Sequence, residues 1–310
     1  MDINEVNFYG KYIKKRYGGR IQKITIDANF TCPNRDGSKG VGGCTYCNNK
    51  SFGTATRLND LKIKDQLQSG FDYSVGRYKN VVGYFAYFQS YSNTYAPLSE
   101  LKKIYNEALE VDKITGLVVG TRPDCIDREK LAYFENLTKD YEVVIEYGIE
   151  SIYDETLERI NRGHDYQCFV DAIDMTKGRG IKICAHIIIG FPWETKEQWI
   201  ETAKAMSKLS IDYLKIHQLH VVKNTLMANE YMVKPFKLLN KEEYIDVLIE
   251  FLEHLRPSIV IQRLFGSASK ELTVSPFWPE TTFDLNNELI RKMKERDTYQ
   301  GRLYPKNNLN

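Results

Sequence analysis

The sequence predicts an α/β protein built from repeated strand–helix units. Seven short apolar runs rich in Val, Ile, Tyr and Phe have the composition of strands, and amphipathic stretches of helical period separate most of them. This alternation is typical of parallel βαβ units, which assemble into an open or closed barrel or a doubly wound sheet. Periodicity does not choose between these arrangements, but in each of them ligands bind beyond the C-terminal ends of the strands.

The predicted elements follow one another along most of the chain. Strands are predicted at 21–28, 80–88, 116–120, 142–147, 182–189, 213–219 and 258–263, and helices at 60–72, 98–111, 128–138, 153–160, 165–178, 195–208 and 241–255. Ser99, Asp127 and Thr195 are expected to lie at helix starts. Asp284 is expected to cap a last, charged helix that runs to Arg296.

Length and composition indicate one large domain with its own core. The chain has 310 residues, of which 42% are hydrophobic, and its formal net charge of +2 does not by itself indicate a nucleic-acid-binding protein. We expect a basic N-terminal extension (1–20), a core (21–265) and a C-terminal extension (266–310). No apolar run approaches the roughly 20 residues of a membrane span, no secretory signal is visible, and six cysteines are too few for a disulfide scaffold. A cytoplasmic protein with reduced thiols and no membrane partner is therefore expected.

Three cysteines carry the strongest chemical signal. Cys32 follows the first predicted strand, and an 11-residue, glycine-rich segment separates it from Cys44, which lies three positions before Cys47. Three soft thiolates without a nearby histidine suit an iron–sulfur cluster that leaves one iron open, whereas a zinc site or unrelated core thiols are the alternatives. Two other cysteines, Cys168 and Cys184, lie in a helical and a strand pattern and are interpreted as core residues.

Further segments at the strand ends match a known family. They are Tyr87-Phe-Gln-Ser90, Gly120-Thr-Arg-Pro-Asp124, Glu146-Tyr-Gly-Ile-Glu150-Ser151, Ile160-Asn-Arg-Gly-His164 and Gly190-Phe-Pro-Trp-Glu-Thr195. Together with the cysteines and with Tyr46, they resemble the radical S-adenosylmethionine (SAM) enzymes. The long gap between the first two cysteines and the segment Ile216-His-Gln-Leu-His-Val-Val222 resemble the YhcC/MnmL-type group, which is related to the radical SAM domain of the elongator catalytic subunit.

The resemblance implies a fold, cofactors and an activity. The fold is a partial (β/α)6-type TIM barrel with short N-terminal and C-terminal extensions. The cofactors are a [4Fe-4S] cluster on the three cysteines and SAM, which reduced flavodoxin or ferredoxin would help to cleave to a 5′-deoxyadenosyl radical. The group implies tRNA as substrate, with a carboxymethylaminomethyl group on the wobble uridine converted to aminomethyl before a partner methyltransferase acts. A small metabolite or peptide substrate, or a non-enzymatic metal- or cluster-binding protein, are the alternatives.

The resemblance and the strand pattern together nominate site residues. The residues expected to contact SAM are Tyr46, Gln89, Ser90, Glu150, Ser151, Arg162 and Ile188, with Ile189 beside the last. Arg122, Asp124, His186, Lys215 and His217 are candidates for substrate contacts, and strand alternation places Lys215 and His217 on one face. The basic residues Lys11, Lys14, Lys15, Arg16 and Arg20 are candidates for the tRNA backbone, although a solvated helix face explains them equally well.

Overall fold

A seven-stranded parallel sheet forms the centre of the computed structural model, which describes residues 5–48 and 61–305. Its strands are β1 (Arg20–Ile26), β2 (Val81–Phe88), β3 (Ile114–Thr121), β4 (Glu142–Glu150), β5 (Lys182–Ile189), β6 (Tyr213–Gln218) and β8 (Val260–Arg263), in that spatial order. A short β7 (Val221–Val222) pairs antiparallel with β9 (Thr273–Ser275). Each predicted strand is therefore present, and within the described ranges the short β7–β9 pair is the only paired strand set that was not foreseen.

The sheet curves into a partial barrel. Side chains from its two edge strands meet across the interior, where Lys23 Nζ on β1 donates to Gln262 Oε1 on β8 at 2.7 Å. The backbones of β1 and β8 are not paired with each other in the part of the chain that the structure describes, so the barrel stays open between them. The partial (β/α) barrel implied by the resemblance is confirmed.

Helices cover the outside of the sheet and close one end. They are α1 (Tyr9–Tyr17), α2 (Ile63–Ser74), α3 (Leu98–Leu109), α4 (Arg128–Leu137), α5 (Asp154–Arg159), α6 (Tyr166–Thr176), α7 (Lys196–Lys208), α8 (Leu226–Val233), α9 (Lys241–His254) and α10 (Thr282–Glu295), with a 3₁₀ turn at Pro123–Cys125. The predicted start of α2 at residue 60 lies outside the described residues, as do the outermost residues of the two expected extensions. Helix α8 was missed because its apolar residues show no helical period.

The three predicted helix starts are confirmed, and the predicted cap of the last helix is wrong. Asp127 and Thr195 accept hydrogen bonds at the starts of α4 and α7 as predicted. Ser99 is the second residue of α3 and so lies at a helix start as predicted, although no side chain caps this helix. Asp284 lies inside α10, and its carboxylate accepts from the backbone of Thr281, which is the true N-cap. The pair forms a capping box, in which an acidic residue lies three positions after the N-cap. Because aspartate is itself a common N-cap residue, the sequence predicts Asp284 as the cap.

The two faces of the strands bury different partners. Alternate residues such as Leu117, Val119 and Ile145 point outward into the main core, which the helices cover. Intervening residues such as Val118 and Val144 point into the barrel, where they form a smaller core. Because both faces are covered, β4 and β6 are buried along almost their whole length, as is usual for parallel sheets.

Helix α1 closes the N-terminal end of the barrel. Ile13 on its buried face packs against the inner core, together with residues at the very start of β1, β6 and β8. The Tyr9 ring contacts Tyr213, the first residue of β6, edge to face at a centroid distance of 5.3 Å. Substrate access is therefore left to the opposite end, beyond the C-terminal ends of the strands.

Candidate active site

One cavity inside the barrel collects most of the predicted site residues. The predicted residues that line it are Cys32, Cys44, Tyr46, Cys47, Gln89, Arg122, Glu150, Arg162, His186, Lys215 and His217. They come from the loop after β1 and from β2 to β6, although they are spread over most of the sequence. Convergence of strand ends on one point is what a parallel barrel provides.

The cysteine-bearing loop is held in place by the segment that follows β4. Asn161 Nδ2 donates to the carbonyl of Gly43 at 2.9 Å, and the backbone N–H of Thr45 donates to the carbonyl of Ile160 at 2.9 Å. Gly43 has a φ of +84°, and a Cβ there would come within 3.1 Å of the Arg35 side chain. The loop conformation therefore requires glycine, and its contacts position the cysteines at the cavity.

The surroundings of the cysteines suit thiolate ligands of a cluster. Arg162 Nη1 lies 3.5 Å from Cys44 Sγ, and Asn34 Nδ2 lies 3.7 Å from the same sulfur, so two donors face a buried thiol. Hydrogen bonds of this kind stabilise anionic sulfur and tune a bound cluster. Among the described residues, no group of three or more His, Cys, Asp or Glu side chains is arranged around a single metal ion. A cluster binds its cysteines through separate irons and does not need that arrangement.

Glu150 and Arg162 form a buried pair that leaves polar atoms for a ligand. Glu150 Oε1 lies 3.5 Å from Arg162 Nη2, and both side chains are buried. Within the described ranges, Glu150 Oε2 and Arg162 Nε have no hydrogen-bond partner. Glu150 has a φ of +75°, and the β4–β5 register shifts just before it. Strained, incompletely satisfied polar groups of this kind cluster at ligand sites, and a zwitterionic ligand such as SAM would satisfy them.

Three of the predicted SAM contacts lie outside the cavity lining. Ser151 donates to Glu194 Oε1 at 2.5 Å, and Ile188 packs in an apolar cluster that includes Phe191. Ser90 is buried after the end of β2, but the neighbouring Gln89 faces the cavity instead. The roles of these three residues toward SAM stay predictions, and the structure gives Ser151 another partner.

A buried charge network lies on the wall formed by β1, β4 and β6. Glu146 Oε2 accepts from Lys215 Nζ at 2.5 Å, and Glu146 Oε1 accepts from Lys23 Nζ at 3.0 Å. Lys215 also donates to the hydroxyl of Tyr87 at 3.0 Å. Burial by itself would raise the pKa of Glu146, but the charges of Lys215 and Lys23 outweigh burial and lower it far below the ordinary carboxyl value. Glu146 is therefore ionised and shared by two lysines.

Two histidines adjoin this network. The rings of His186 and His217 lie 4.7 Å apart, and burial lowers the pKa of His217 to about 3 and that of His186 well below its ordinary value. Both rings are therefore neutral at physiological pH. His217 Nδ1 lies 2.9 Å from the carbonyl of Gln218, whereas His186 Nε2 is buried without a hydrogen-bond partner among the described residues. As strand alternation predicted, Lys215 and His217 face the same side.

Arg122 and Asp124 have different positions relative to the cavity. Arg122 Nε and Nη2 donate to the two carboxylate oxygens of Asp124 at 2.8 and 2.9 Å, and Lys39 Nζ lies 2.7 Å from Asp124 Oδ2. Only Arg122 lines the cavity. Asp124 is therefore placed to orient Arg122, and direct substrate contact by Asp124 stays a prediction.

The basic residues of the N-terminal segment lie at the other end of the barrel. Lys11, Lys14 and Lys15 are exposed on α1, which closes the N-terminal end of the strands. Arg16 pairs with Glu142 Oε2 at 2.7 Å, and Arg20 stacks over the ring of Tyr78 at 4.6 Å. The structure does not bring these side chains to the cavity, and their expected contact with tRNA stays a prediction.

Several residues in or beside the cavity were not nominated from the sequence. Lys23, Glu146 and Arg263 take part in the polar wall, and Asn34 faces Cys44. A detectable signal existed for Glu146, because a carboxylate in the middle of an apolar strand must be paired. Arg263 and Asn34 carried no such signal, since polar residues at strand ends and in loops are ordinary.

Comparisons with known proteins agree with this arrangement. The family model for the radical SAM superfamily matches residues 32–206, and that for the Radical SAM C-terminal domain matches residues 211–295. The YhcC protein of Escherichia coli (strain K12) is 35% identical over 291 residues, covering 94% of this chain and 93% of that protein. YtqA of Bacillus subtilis (strain 168) is 30% identical over 300 residues, covering 94% and 91%.

A solved structure shows the same fold. The archaeal Methanocaldococcus infernus Elp3 with an N-terminal deletion superposes with a TM-score of 0.70 at 15% identity. The match covers 90% of this chain and 64% of that one.

The chain belongs to the radical SAM superfamily and is an enzyme that uses a [4Fe-4S] cluster and SAM. Within the superfamily it falls in the YhcC-type group, which is related to Elp3. Among the described residues, no helix is both long and apolar enough to cross a membrane.

Proposed function

We propose that this enzyme modifies the wobble uridine of tRNA, converting a carboxymethylaminomethyl group at C5 to an aminomethyl group. The observation that carries the proposal is the cavity, which combines the three cysteines, the Glu150–Arg162 pair and a separate polar wall for a substrate. The tRNA uridine(34) acetyltransferase of Methanocaldococcus infernus supports the choice of substrate. It is 29% identical over 171 residues, covering 53% of this chain and 30% of that protein.

The side chains around the cavity divide into two roles. Cys32, Cys44 and Cys47 hold the cluster, and Arg162 donates to the Cys44 sulfur. Glu150 and Arg162 orient the charged groups of SAM, with Tyr46 and Gln89 lining the same space. When bound, the cluster and SAM supply a 5′-deoxyadenosyl radical that abstracts hydrogen from carbon. The enclosing barrel excludes water and competing hydrogen donors from this radical.

The proposed site of hydrogen abstraction is the CH2 between the amine and the carboxylate of the substituent. Nitrogen and carboxylate both stabilise a carbon radical there, so this C–H bond is the weakest candidate. Return of one electron from this radical to the oxidised cluster would leave an iminium ion, which water would hydrolyse to the aminomethyl group and glyoxylate. Deuterium placed at that CH2 should appear in 5′-deoxyadenosine during turnover. Recovery of 5′-deoxyadenosine without deuterium would contradict abstraction from this carbon.

Anaerobic turnover tests the function as a whole. The reconstituted enzyme receives SAM, dithionite and tRNA that carries the carboxymethylaminomethyl group, and both 5′-deoxyadenosine and the wobble nucleoside are quantified. We expect nucleoside formation that rises with this tRNA and a matching gain of aminomethyluridine. SAM cleavage that is indifferent to tRNA would instead favour a small metabolite or peptide as substrate.

The proposal also specifies a cellular setting. The reaction takes place in the cytoplasm, where tRNA and low-potential reductants such as reduced flavodoxin or ferredoxin are present. An aminomethyl product has a free amine, which a partner methyltransferase would methylate. Replacing dithionite by reduced flavodoxin in the turnover assay should sustain product formation.

A further inference from the structure

The cavity has an excess of positive charge. Its lining contains five cationic side chains, Arg35, Arg122, Arg162, Lys215 and Arg263, against the two carboxylates of Glu146 and Glu150. The cofactors do not remove this excess, because a thiolate-bound cluster is anionic and SAM is cationic, so their net charges oppose each other. A ligand that completes the cavity should therefore be an anion.

The partners of these cations show where the anion would bind. Arg122 is neutralised by Asp124, and Arg162 is paired with Glu150. Lys215 shares the single carboxylate of Glu146 with Lys23, whose pKa is lowered by burial, so this carboxylate is already divided between two lysines before any arginine is counted.

Arg263 adds an uncompensated charge to the same wall. Its side chain is exposed to solvent at the cavity, and its guanidinium makes no hydrogen bond or ion pair with the residues that the structure describes. In the strand register, His186 on β5 pairs with Lys215 on β6, and Lys215 pairs with Arg263 on β8. Three adjacent strands therefore present a row of nitrogen-bearing side chains at one level of the barrel, with His186 Nε2 buried and unsatisfied among the described residues.

We propose that His186, Lys215 and Arg263 form a subsite for an oxyanion of the substrate, namely the carboxylate of the C5 substituent. The inference rests on the proposed function, because only the carboxymethylaminomethyl form of the base has such a group. The forked donors of arginine match the geometry of a carboxylate, and the Lys215 ammonium supplies charge behind it. The subsite would hold the carboxylate end of the substituent and thereby fix the position of the adjacent CH2. A phosphate of the wobble nucleotide is the other source of the same chemistry.

Binding measurements on the holoenzyme test the subsite. Two tRNAs are compared that differ only in the wobble substituent, carboxymethylaminomethyl or aminomethyl, with S-adenosylhomocysteine present so that no turnover occurs. The wild-type enzyme should bind the carboxylate form about tenfold more tightly, which is the size expected for one charge-assisted hydrogen bond. Arg263→Gln should abolish this preference, and Arg263→Lys should retain part of it. The control is Arg291→Gln, which removes the same charge from an exposed site on α10 and should leave the preference unchanged.

Each outcome has a defined meaning. Equal weakening of both tRNAs by Arg263→Gln, with none by Arg291→Gln, supports the oxyanion subsite and assigns it to a phosphate. Identical affinities of Arg263→Gln and wild-type enzyme for both tRNAs overturn the subsite, even if turnover proceeds. If binding depends on the carboxylate and requires Arg263, but the turnover assay forms no aminomethyluridine, the subsite is supported. In that case only the proposed conversion is overturned. Absence of binding to either tRNA overturns both.

Discussion

Replacement of Glu146 by glutamine should destabilise the protein far more than replacement of Glu142 by glutamine on the same strand. Glu146 is 5% exposed and lies within 3.0 Å of both Lys23 and Lys215. Glutamine has nearly the same shape but no charge, so two ammonium groups would remain in the barrel without a counter-ion. Removing one member of a buried ion pair typically costs about 3–5 kcal/mol.

The expected change in melting temperature follows from the size of the chain. With an unfolding entropy of about 2.1 cal/mol/K per residue, a protein of this length loses about 1.5 °C per kcal/mol. Glu146→Gln should therefore lower the melting temperature by about 5–8 °C. Glu142→Gln is the matched control, because Glu142 lies at the start of β4 and pairs with Arg16, whose side chain is 40% exposed. Although the Glu142 side chain is only 11% exposed, the guanidinium of this pair is open to solvent, so the pair should contribute about 1 kcal/mol, which predicts a fall of about 2 °C.

Circular dichroism of the reconstituted protein under anaerobic conditions gives both melting temperatures. Because the folded protein lowers the pKa of Glu146, its stabilising contribution is complete above the unfolded carboxyl pKa and is lost as the pH falls through the folded value. The gap between wild-type and Glu146→Gln protein should thus hold from pH 8 to about pH 5 and narrow at lower pH. Equal effects of Glu142→Gln and Glu146→Gln would refute the buried network, as would a gap that widens in acid.

Three further predictions concern the cofactors and tRNA. Cys32→Ser should lose iron and sulfide on reconstitution, whereas Cys168→Ser, on α6, should retain both; full iron in Cys32→Ser would exclude it as a ligand. Glu150→Gln should weaken SAM binding about tenfold, because the substitution neutralises a buried carboxylate whose second oxygen is free to accept from SAM. Calorimetry measures this affinity, and an unchanged value would exclude Glu150 from the SAM site. Joint replacement of Lys14 and Lys15 by glutamine should weaken tRNA binding. The slope of log affinity against log salt concentration should flatten by about 0.9 for each phosphate that a lysine no longer neutralises. An unchanged slope would exclude α1 from the interface.

The strand pattern and the cysteine spacing could be interpreted from the sequence because both are local. Alternation with a period of two residues places Lys215 and His217 on one face wherever β6 lies in the sheet, and the structure shows both at the cavity. Cys44 and Cys47 are close in sequence, so their proximity in space needed no knowledge of the fold. The same holds for the caps Asp127 and Thr195, whose hydrogen bonds span three residues.

Other features of the site depend on contacts between distant parts of the chain. The level of Arg263 beside Lys215 is set by the β6–β8 register, and the pairing of Lys23 with Glu146 joins β1 to β4 across the barrel. Both depend on how the sheet curves. Ser151 depends on such a contact as well. Its sequence context predicted a contact with SAM, whereas in the folded protein its hydroxyl donates to Glu194.

The sequence by itself indicated the class of protein, through its resemblance to a known family, and the positions of the strands along the chain, since the strand positions depend on local pattern. Only the tertiary structure decided that α1 lies at the N-terminal end of the barrel, away from the cavity, and that the cavity wall has an excess of positive charge. The position of α1 and the net charge of the cavity wall both depend on residues that are remote in sequence. Neither is defined until the sheet has curved and brought these residues together.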